Sequence, residues 1–453
     1  MNFEKIINEN KELIVKTLQE LIQIKSVYDE STITKAMPFG KGINDALEYM
    51  LNLGKKDGFD VVNDEGYAGE ITYKGTGSET VGILCHLDVV PEGNNWTYPP
   101  YEARIVDGNI YGRGTGDDKG PTIASYFALK FIKDANIKLK KTIKIILGTD
   151  EETGWRGVAH YFKKYSMPTI GFAPDCSFPL VYGEKGRMSF DLACDNVEDE
   201  VIVSIKGGER YNVVMDEVTA ILKVDLSKEF NEYLQKHNLN GKVEGNTYFI
   251  EGLASHAMEP EKGINAGLHM CNFLSKYSKH PLVNYLAKYF YDDPFFKNMK
   301  IDYNDYEMGP ITVNVGIIDI SEGKTRVTLD SRFPVRYDMD KFNTIFNQIL
   351  TEYGIVIDAK TFKNPHYVSP DDDLVKLLHE AYVKNTNDLE NKPFTVGGGT
   401  YASMLDKGVA YGMLFPGDEE LAHQRNEYIT IESLLKGTLI YLDAILLLGE
   451  IDA

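Results

Sequence analysis

Val81–Asp88 reads VGILCHLD: a short apolar run, Val81–Cys85, that ends directly on His86, Leu87 and Asp88. An uncharged run of this length with a β-branched start reads as a buried strand. Ile143–Leu147 (IKIIL) repeats the pattern, and Thr169–Ala173 (TIGFA) repeats it more weakly. Gly, Pro, Asp or Thr bounds each run, as expected of strand ends. Between the first two lies Pro121–Asp134 (PTIASYFALKFIKD). Pro121 suits the first turn of a helix, and Ile123, Phe127, Leu129 and Phe131 can line one of its faces. Strand, helix, strand in this order predicts an α/β sheet with parallel strands.

Upstream, Ile14, Leu18, Leu21 and Ile22 recur at helical spacing, so the first 25 or so residues read as one amphipathic helix. Charges interrupt that segment, and it has no small-residue cleavage site, which argues against a signal peptide. Downstream, the texture changes at about Gly186. GRMSFDLACDN and KVEGNTYFIEGLASHA read as antiparallel strands and turns, and Lys276–Tyr303 as helices and loops. A helical pattern returns at about Ser369 (SPDDDLVKLLHEAYVK). Val409–Phe415 (VAYGMLF) reads as another core strand, and Ile431–Leu448 as a packed helix. The expected plan is a core domain built from residues 1–185 and 368–453, interrupted by an insertion over 186–367.

Composition narrows the function classes. The chain has 453 residues, 43% hydrophobic and 26% charged, which excludes a disordered or collagen-like chain. Its net charge of −20 repels phosphate backbones and anionic lipid surfaces, so neither nucleic acid nor membrane is an expected partner. No stretch approaches the roughly 20 apolar residues that span a bilayer. Cys85, Cys176, Cys194 and Cys271 form no C-x-x-C pair. They read as reduced thiols in a cytoplasmic protein.

The metal-type residues fall at the strand ends. His86 and Asp88 follow the first strand, and Asp117 and Asp118 sit in the turn GRGTGDDKGP before the helix. Glu151 and Glu152 follow the Ile143 run, Asp175 follows the Thr169 run, and His423 follows a loop after the Val409 run. Sites in open α/β sheets form outside the carboxyl ends of the strands, so these groups can converge without a shared local motif. Each alone has a bland reading as a helix cap, a surface acid or a structural histidine. Five such groups at successive strand ends are far less expected by chance. Imidazole with carboxylate suits Zn²⁺ or Mn²⁺, and two histidines with three carboxylates suffice for two ions sharing one bridging carboxylate. Such a pair polarises a carbonyl and activates water, and one of Glu151 and Glu152 can serve as base while the other binds metal. GRGTGDDKG is not a phosphate loop, because Gly120 rather than Ser or Thr follows Lys119. Its two aspartates would repel a pyrophosphate. No G-x-S-x-G of a serine hydrolase is present.

Together GILCHLDVVPEG, YGRGTGDDKGP, GTDEETGWRG, APD and HQRNEY resemble the M20 metallopeptidases, and most of all their PepV-type, Xaa-His or carnosinase-like dipeptidases. The resemblance spans nearly the whole chain. It implies a zinc-peptidase-like α/β catalytic domain, a mixed sheet with helices on both faces, interrupted by an α+β lid. It implies that His86 and Asp175 hold one ion and Glu152 and His423 the other. Asp117 would bridge them across a cis peptide to Asp118. Glu151 would act as general base and then acid, with Asp88 orienting His86. In the lid, His256 (in SHAMEP) would stabilise the tetrahedral intermediate, and Asn212 and Arg332 would bind substrate. In GGGT, Gly398 and Thr400 would contact the substrate carboxylate. Val213-Val214-Met215 departs from the family segment, which has proline there. The ions would be Zn²⁺ first, with Mn²⁺ or Co²⁺ as alternatives. The enlarged lid would replace a second subunit, giving a monomer. The implied activity is hydrolysis of dipeptides with a free N-terminus. The alternatives are an N-acyl amino acid amidohydrolase on the same metals, or a non-catalytic metal-binding protein.

Overall fold

The structure, a computed structural model, describes residues 1–195 and 198–450. The chain divides into two compact units. The first comprises Met1–Gly183, Tyr367–Phe394 and the chain from Gly399 on; the second comprises Glu184–His366 and Thr395–Gly398.

In the first unit the three runs read from the sequence are the strands Thr80–His86, Thr142–Gly148 and Ile170–Ala173. Both of the others pair in parallel with Thr80–His86. Gly408–Ala410 adds a fourth parallel strand beside Ile170–Ala173. Parallel neighbours need a crossover, and the helix Lys119–Asp134 supplies it between the first two. Antiparallel pairing continues the sheet through Ala68–Tyr73 to Asp60–Asn63, and at Val181 opposite Ala410. The sheet is therefore mixed. Helices cover both its faces. A Cβ added to Gly69 would meet Leu47 at 2.7 Å, so the helix Lys41–Lys56 lies against that side. The next residue, Glu70, points to the other side and accepts a hydrogen bond from Tyr161 of the helix Arg156–Tyr161.

Three local expectations change. The crossover helix is not buried on one face only: every residue from Lys119 to Leu129 is buried. Beyond the sheet it packs against the helices Lys11–Ile22 and Ile431–Glu450, an apolar surface supplied from both chain ends. The N-terminal helix is two helices, Phe3–Glu9 and Lys11–Ile22, meeting at Asn10. Val409–Phe415 splits into Gly408–Ala410 and Met413–Leu414. The break is at Gly412, whose φ of +79° turns the chain where a Cβ would strike the Phe178 ring at 2.5 Å.

The second unit is built on an eight-stranded antiparallel sheet. Its order is Asn240–Glu244, Thr247–Glu251, Glu217–Leu222, Ile202–Gly207, Thr312–Ser321, Lys324–Phe333, Gly186–Cys194 and Ile355–Lys363. Val218, Ala220 and Leu222 are buried and alternate with more exposed neighbours, the period of a sheet with one covered face. Helices Ser227–His237, Ala266–Leu274, Pro281–Tyr289 and Met339–Glu352 complete its core through Phe230, Met270, Leu286 and Phe346. Thr395–Gly398 belong here because Thr395 Oγ1 donates to the Glu307 carbonyl and Arg332 Nη1 to the Gly397 carbonyl.

His269, half-buried on the helix Ala266–Leu274, gives a pH prediction. Burial first, and then the neighbouring His237, push it from the ordinary 6.5 down to about 4. Between those values the unfolded chain takes up a proton that the folded one refuses, so stability falls as pH drops from about 6.5 to about 4. The loss is about 2 kcal/mol once partial exposure is allowed for. Urea midpoints at pH 7 and pH 4.5 should lie closer together in His269→Gln than in the parent; an unchanged acid slope would refute the assignment.

Candidate metal centre

The centre assembles in the first unit at the carboxyl ends of the parallel strands. His86 ends its strand and is fully buried. Its backbone N–H donates to Asp118 Oδ2 at 3.0 Å, and its Nδ1 lies 2.9 Å from the Asp88 backbone carbonyl. That carbonyl can accept only from Nδ1–H, so Nε2 is left as the lone-pair nitrogen. Nε2 is 2.8 Å from Asp117 Oδ1 and 3.9 Å from Asp175 Oδ2. The other oxygen of Asp117, Oδ2, is 3.1 Å from His423 Nε2, and Glu152 Oε1 is also 3.1 Å from that nitrogen. Asp117 thus offers one oxygen to each imidazole. It is joined to Asp118 by a cis peptide.

Two donor groups result, His86 with Glu151 and Asp175, and Asp117 with Glu152 and His423, each with ligand atoms within 4.8 Å of one another. Tetrahedral zinc ligands at about 2.0–2.1 Å from the ion stand roughly 3.3 Å from each other. The observed separations of 2.8, 3.1, 3.1 and 3.9 Å straddle that value.

The electrostatics also fit cations. Six carboxylates (Asp88, Asp117, Asp118, Glu151, Glu152 and Asp175) crowd around two imidazoles. Burial lifts Glu151 to about 8, with Glu152, Asp117 and Asp88 adding to the rise against the pull of His86. Burial and Asp117 hold Asp175 well above the usual carboxylate range. Asp117 moves the other way: burial opposes it, but the adjoining imidazoles of His423 and His86 keep it below that range. Hydrogen bonds to Asp117 and Glu152 push His423 up to about 10. Divalent cations between these donors would balance the charge, since buried anions persist only when paired or metal-bound.

Asp88 differs in detail from its expected role. Its carbonyl, not its carboxylate, makes the short contact to His86; carboxylate Oδ1 is 3.5 Å from Nδ1. The carboxylate instead accepts the backbone N–H groups of Glu151 and Glu152, each at 3.0 Å. One residue therefore orients both the histidine and the Glu-Glu turn.

Three contributors were not placed at the centre from the sequence. Lys119 is buried, and its Nζ donates to the carbonyls of Leu21 and Ile24. Ser26 next to that segment donates to the Leu87 carbonyl and accepts from the Val89 N–H, so the N-terminal segment braces the His86 loop. Tyr401 packs edge-on at 6.1 Å from the His86 ring and 5.6 Å from Trp155. A Cβ on Gly148, at the end of the neighbouring strand, would stand 2.3 Å from that tyrosine ring. Gly148→Ala should therefore lower thermal stability by about 1–3 kcal/mol, read by calorimetry. A parent-like melting point would show that the ring has free space. No local pattern marks these residues, because their partners are remote in sequence.

A cavity of about 160 Å³ opens beside Asp117 and Asp175. Cys176, Met413, Leu414 and Leu421 give it an apolar wall, and Asp418 and Glu419 an acidic one.

The remaining predicted residues lie apart from these donors in the chain. In the second unit Val213 and His256 form an isolated bridge, and the Ala257 N–H donates to the Asn212 carbonyl, so Asn212 and His256 are neighbours. His256 Nδ1 accepts from the Met258 N–H at 3.1 Å. Arg332 is buried, with Nε on Asp330 at 2.7 Å, so part of its fork is already engaged. A Cβ on Gly398 would meet only Met258 Sδ, at 3.5 Å. In the first unit Thr400 caps the short helix Tyr401–Met404 by accepting the Ala402 N–H.

The profile of peptidase family M20/M25/M40 matches residues 82–447. The chain belongs to this family. It is a peptide-bond hydrolase of the metallopeptidase kind, and divalent metal ions go with that membership. A protein of Staphylococcus epidermidis named "Putative dipeptidase" is 39% identical over 462 aligned positions covering 98% of either chain. Two solved structures share the fold. One is an M20 family metallo-carboxypeptidase from Sulfolobus solfataricus, with 19% identity, 96% of this chain and 99% of that one covered, and a TM-score of 0.61. The other is human carnosine dipeptidase 1, with 16% identity, 98% of each chain covered and a TM-score of 0.58. Among the described residues of this peptidase, no helix is long and apolar enough to cross a membrane.

Proposed function

We propose that this chain is a dinuclear metal-dependent dipeptidase acting on dipeptides with a free N-terminus. The observation that carries the reading is Asp117, with one carboxylate oxygen against each of two imidazoles from opposite parts of the chain. His86 and Asp175 would hold one ion and Glu152 and His423 the other, with Asp117 between them. Zn²⁺ suits this donor set first, and Mn²⁺ or Co²⁺ also fit it. Bound there, the ions polarise the scissile carbonyl and make water a stronger nucleophile.

Glu151 takes the proton of the attacking water and returns it to the leaving amine. Its carboxylate is half-buried and lies with His86 and Asp175 within ligand distance, in reach of a water at that place. Asp88 fixes the Glu151 and Glu152 turn through their N–H groups. Asn212, His256, Arg332, Gly398 and Thr400 are assigned to substrate binding, with His256 as the donor to the developing oxyanion and the Arg332 guanidinium, already held by Asp330 and the Gly397 carbonyl, for a carboxylate. The cavity beside Asp117 has the volume of one apolar side chain, since a cavity of about 150 Å³ holds a benzene molecule. Its acidic rim favours a substrate with a free ammonium and disfavours acidic side chains. A monomer in the cytoplasm is the accompanying expectation, tested by light scattering and fractionation.

The deciding experiment compares unblocked Leu-Gly, Asp-Gly and N-acetyl-Leu-Gly with the metal-loaded enzyme. Leu-Gly should be cleaved with the highest kcat/KM. Preference for the acetylated peptide would instead make it an N-acyl amidohydrolase, and no turnover of any would refute the dipeptidase reading.

A further inference from the structure

Glu427 lies four residues after His423 and is 1% exposed. Its segment runs into the strand Tyr428–Thr430, which pairs antiparallel with Asn109–Tyr111. That pairing sets the loop Gly112–Asp118, which carries Asp117, beside the loop that carries His423. The Glu427 side chain fills the space between them. Its carboxylate accepts the N–H of Gly114 at 3.1 Å to either oxygen, of Gly116 at 2.8 Å and of Asp117 itself at 3.2 Å. Arg113 Nη1 adds a charge-assisted bond at 2.7 Å. The Glu427 carbonyl in turn accepts the Gly112 N–H at 2.9 Å. Gly114, at φ +90°, lets successive N–H groups converge on one anion, the geometry of a backbone nest.

We propose that Glu427 is a positioning residue that locks the bridging carboxylate Asp117 to the loop of His423, and so sets the affinity of the ion held by Asp117, Glu152 and His423. Two of those three donors sit on the loops that Glu427 joins, whereas only Asp117 does so for the other ion. A buried acid that served stability alone would need only Arg113; here it also grips the N–H of the bridging ligand. The inference rests on the two-ion reading above and adds a residue to it.

The test is calorimetric titration of the metal-free full chain with Zn²⁺, without substrate. The parent should take up two ions. In Glu427→Gln and Glu427→Ala one ion, the one whose binding His423→Ala also weakens, should lose about 10–100-fold in affinity, the usual range for residues that orient ligands, while the other changes by less than about threefold. Arg113→Met is the control for stability: it keeps the N–H contacts, so it should melt earlier yet bind both ions like the parent. Glu427→Gln preserves volume and an acceptor oxygen, so it serves if the alanine variant does not fold. Parent-like binding of both ions by Glu427→Gln, or equal weakening in Arg113→Met, overturns the proposal. A parent that binds fewer than two ions overturns the two-ion reading instead.

Discussion

Glu151→Gln should lower kcat by about 10⁴-fold, near 5.5 kcal/mol of barrier, while leaving the metal content at two ions per chain. Glutamine keeps the shape of the side chain and removes its ability to take a proton. The neighbouring Asp88 carboxylate holds the Glu151 and Glu152 N–H groups, so the turn should stay in place in the variant. Glu151 also lies within ligand distance of His86 and Asp175, which gives the prediction its discriminating power. If Glu151 were a ligand, the variant would lose an ion together with its activity. Elemental analysis alongside steady-state kinetics separates these cases. A variant that keeps a tenth of parent kcat would remove Glu151 from proton transfer altogether.

Exhaustive dialysis against EDTA should abolish hydrolysis and lower the melting temperature, and Zn²⁺, Mn²⁺ or Co²⁺ should restore both. A ligand that binds only the folded state at about a hundred times its Kd stabilises by about 2.7 kcal/mol, so two ions contribute about 5 kcal/mol. The apo centre retains six crowded carboxylates around two imidazoles, and their mutual repulsion adds to the loss. Calorimetry should find the shift in the unit formed by the two chain ends, where all the donors lie. Hydrolysis undiminished after dialysis, or identical melting of apo and refilled protein, would end the metallopeptidase mechanism for this chain.

Much of the centre was legible because each donor sits beside a local signal. His86, Glu151, Glu152 and Asp175 follow short apolar runs, and a strand's carboxyl end is where α/β sheets place their sites. The parallel pairing of Thr80–His86 with Thr142–Gly148 follows from the helix between them. His423 is different. It follows a broken pair of short strands in an exposed loop, so its place after the Val409 run was a weaker signal than a strand end. The resemblance added its pairing with Glu152.

The features that were not legible depend on partners far away in sequence. The crossover helix looked one-sided because its own spacing shows one apolar stripe, and its burial all round comes from helices at both chain ends. Asp88 looked like a carboxylate partner for His86, yet its carboxylate turns to two N–H groups some sixty residues on. Thr395–Gly398 read as core but pack with the inserted unit. The sequence alone determined the fold class and the family and marked the strand-end acids and histidines as candidates, because these are written in local periodicity and contiguous strings. Only tertiary structure decided which oxygen faces which imidazole, and which buried acid holds the bridging loop. Those are settled by strand register and backbone hydrogen bonds between segments that share no local pattern.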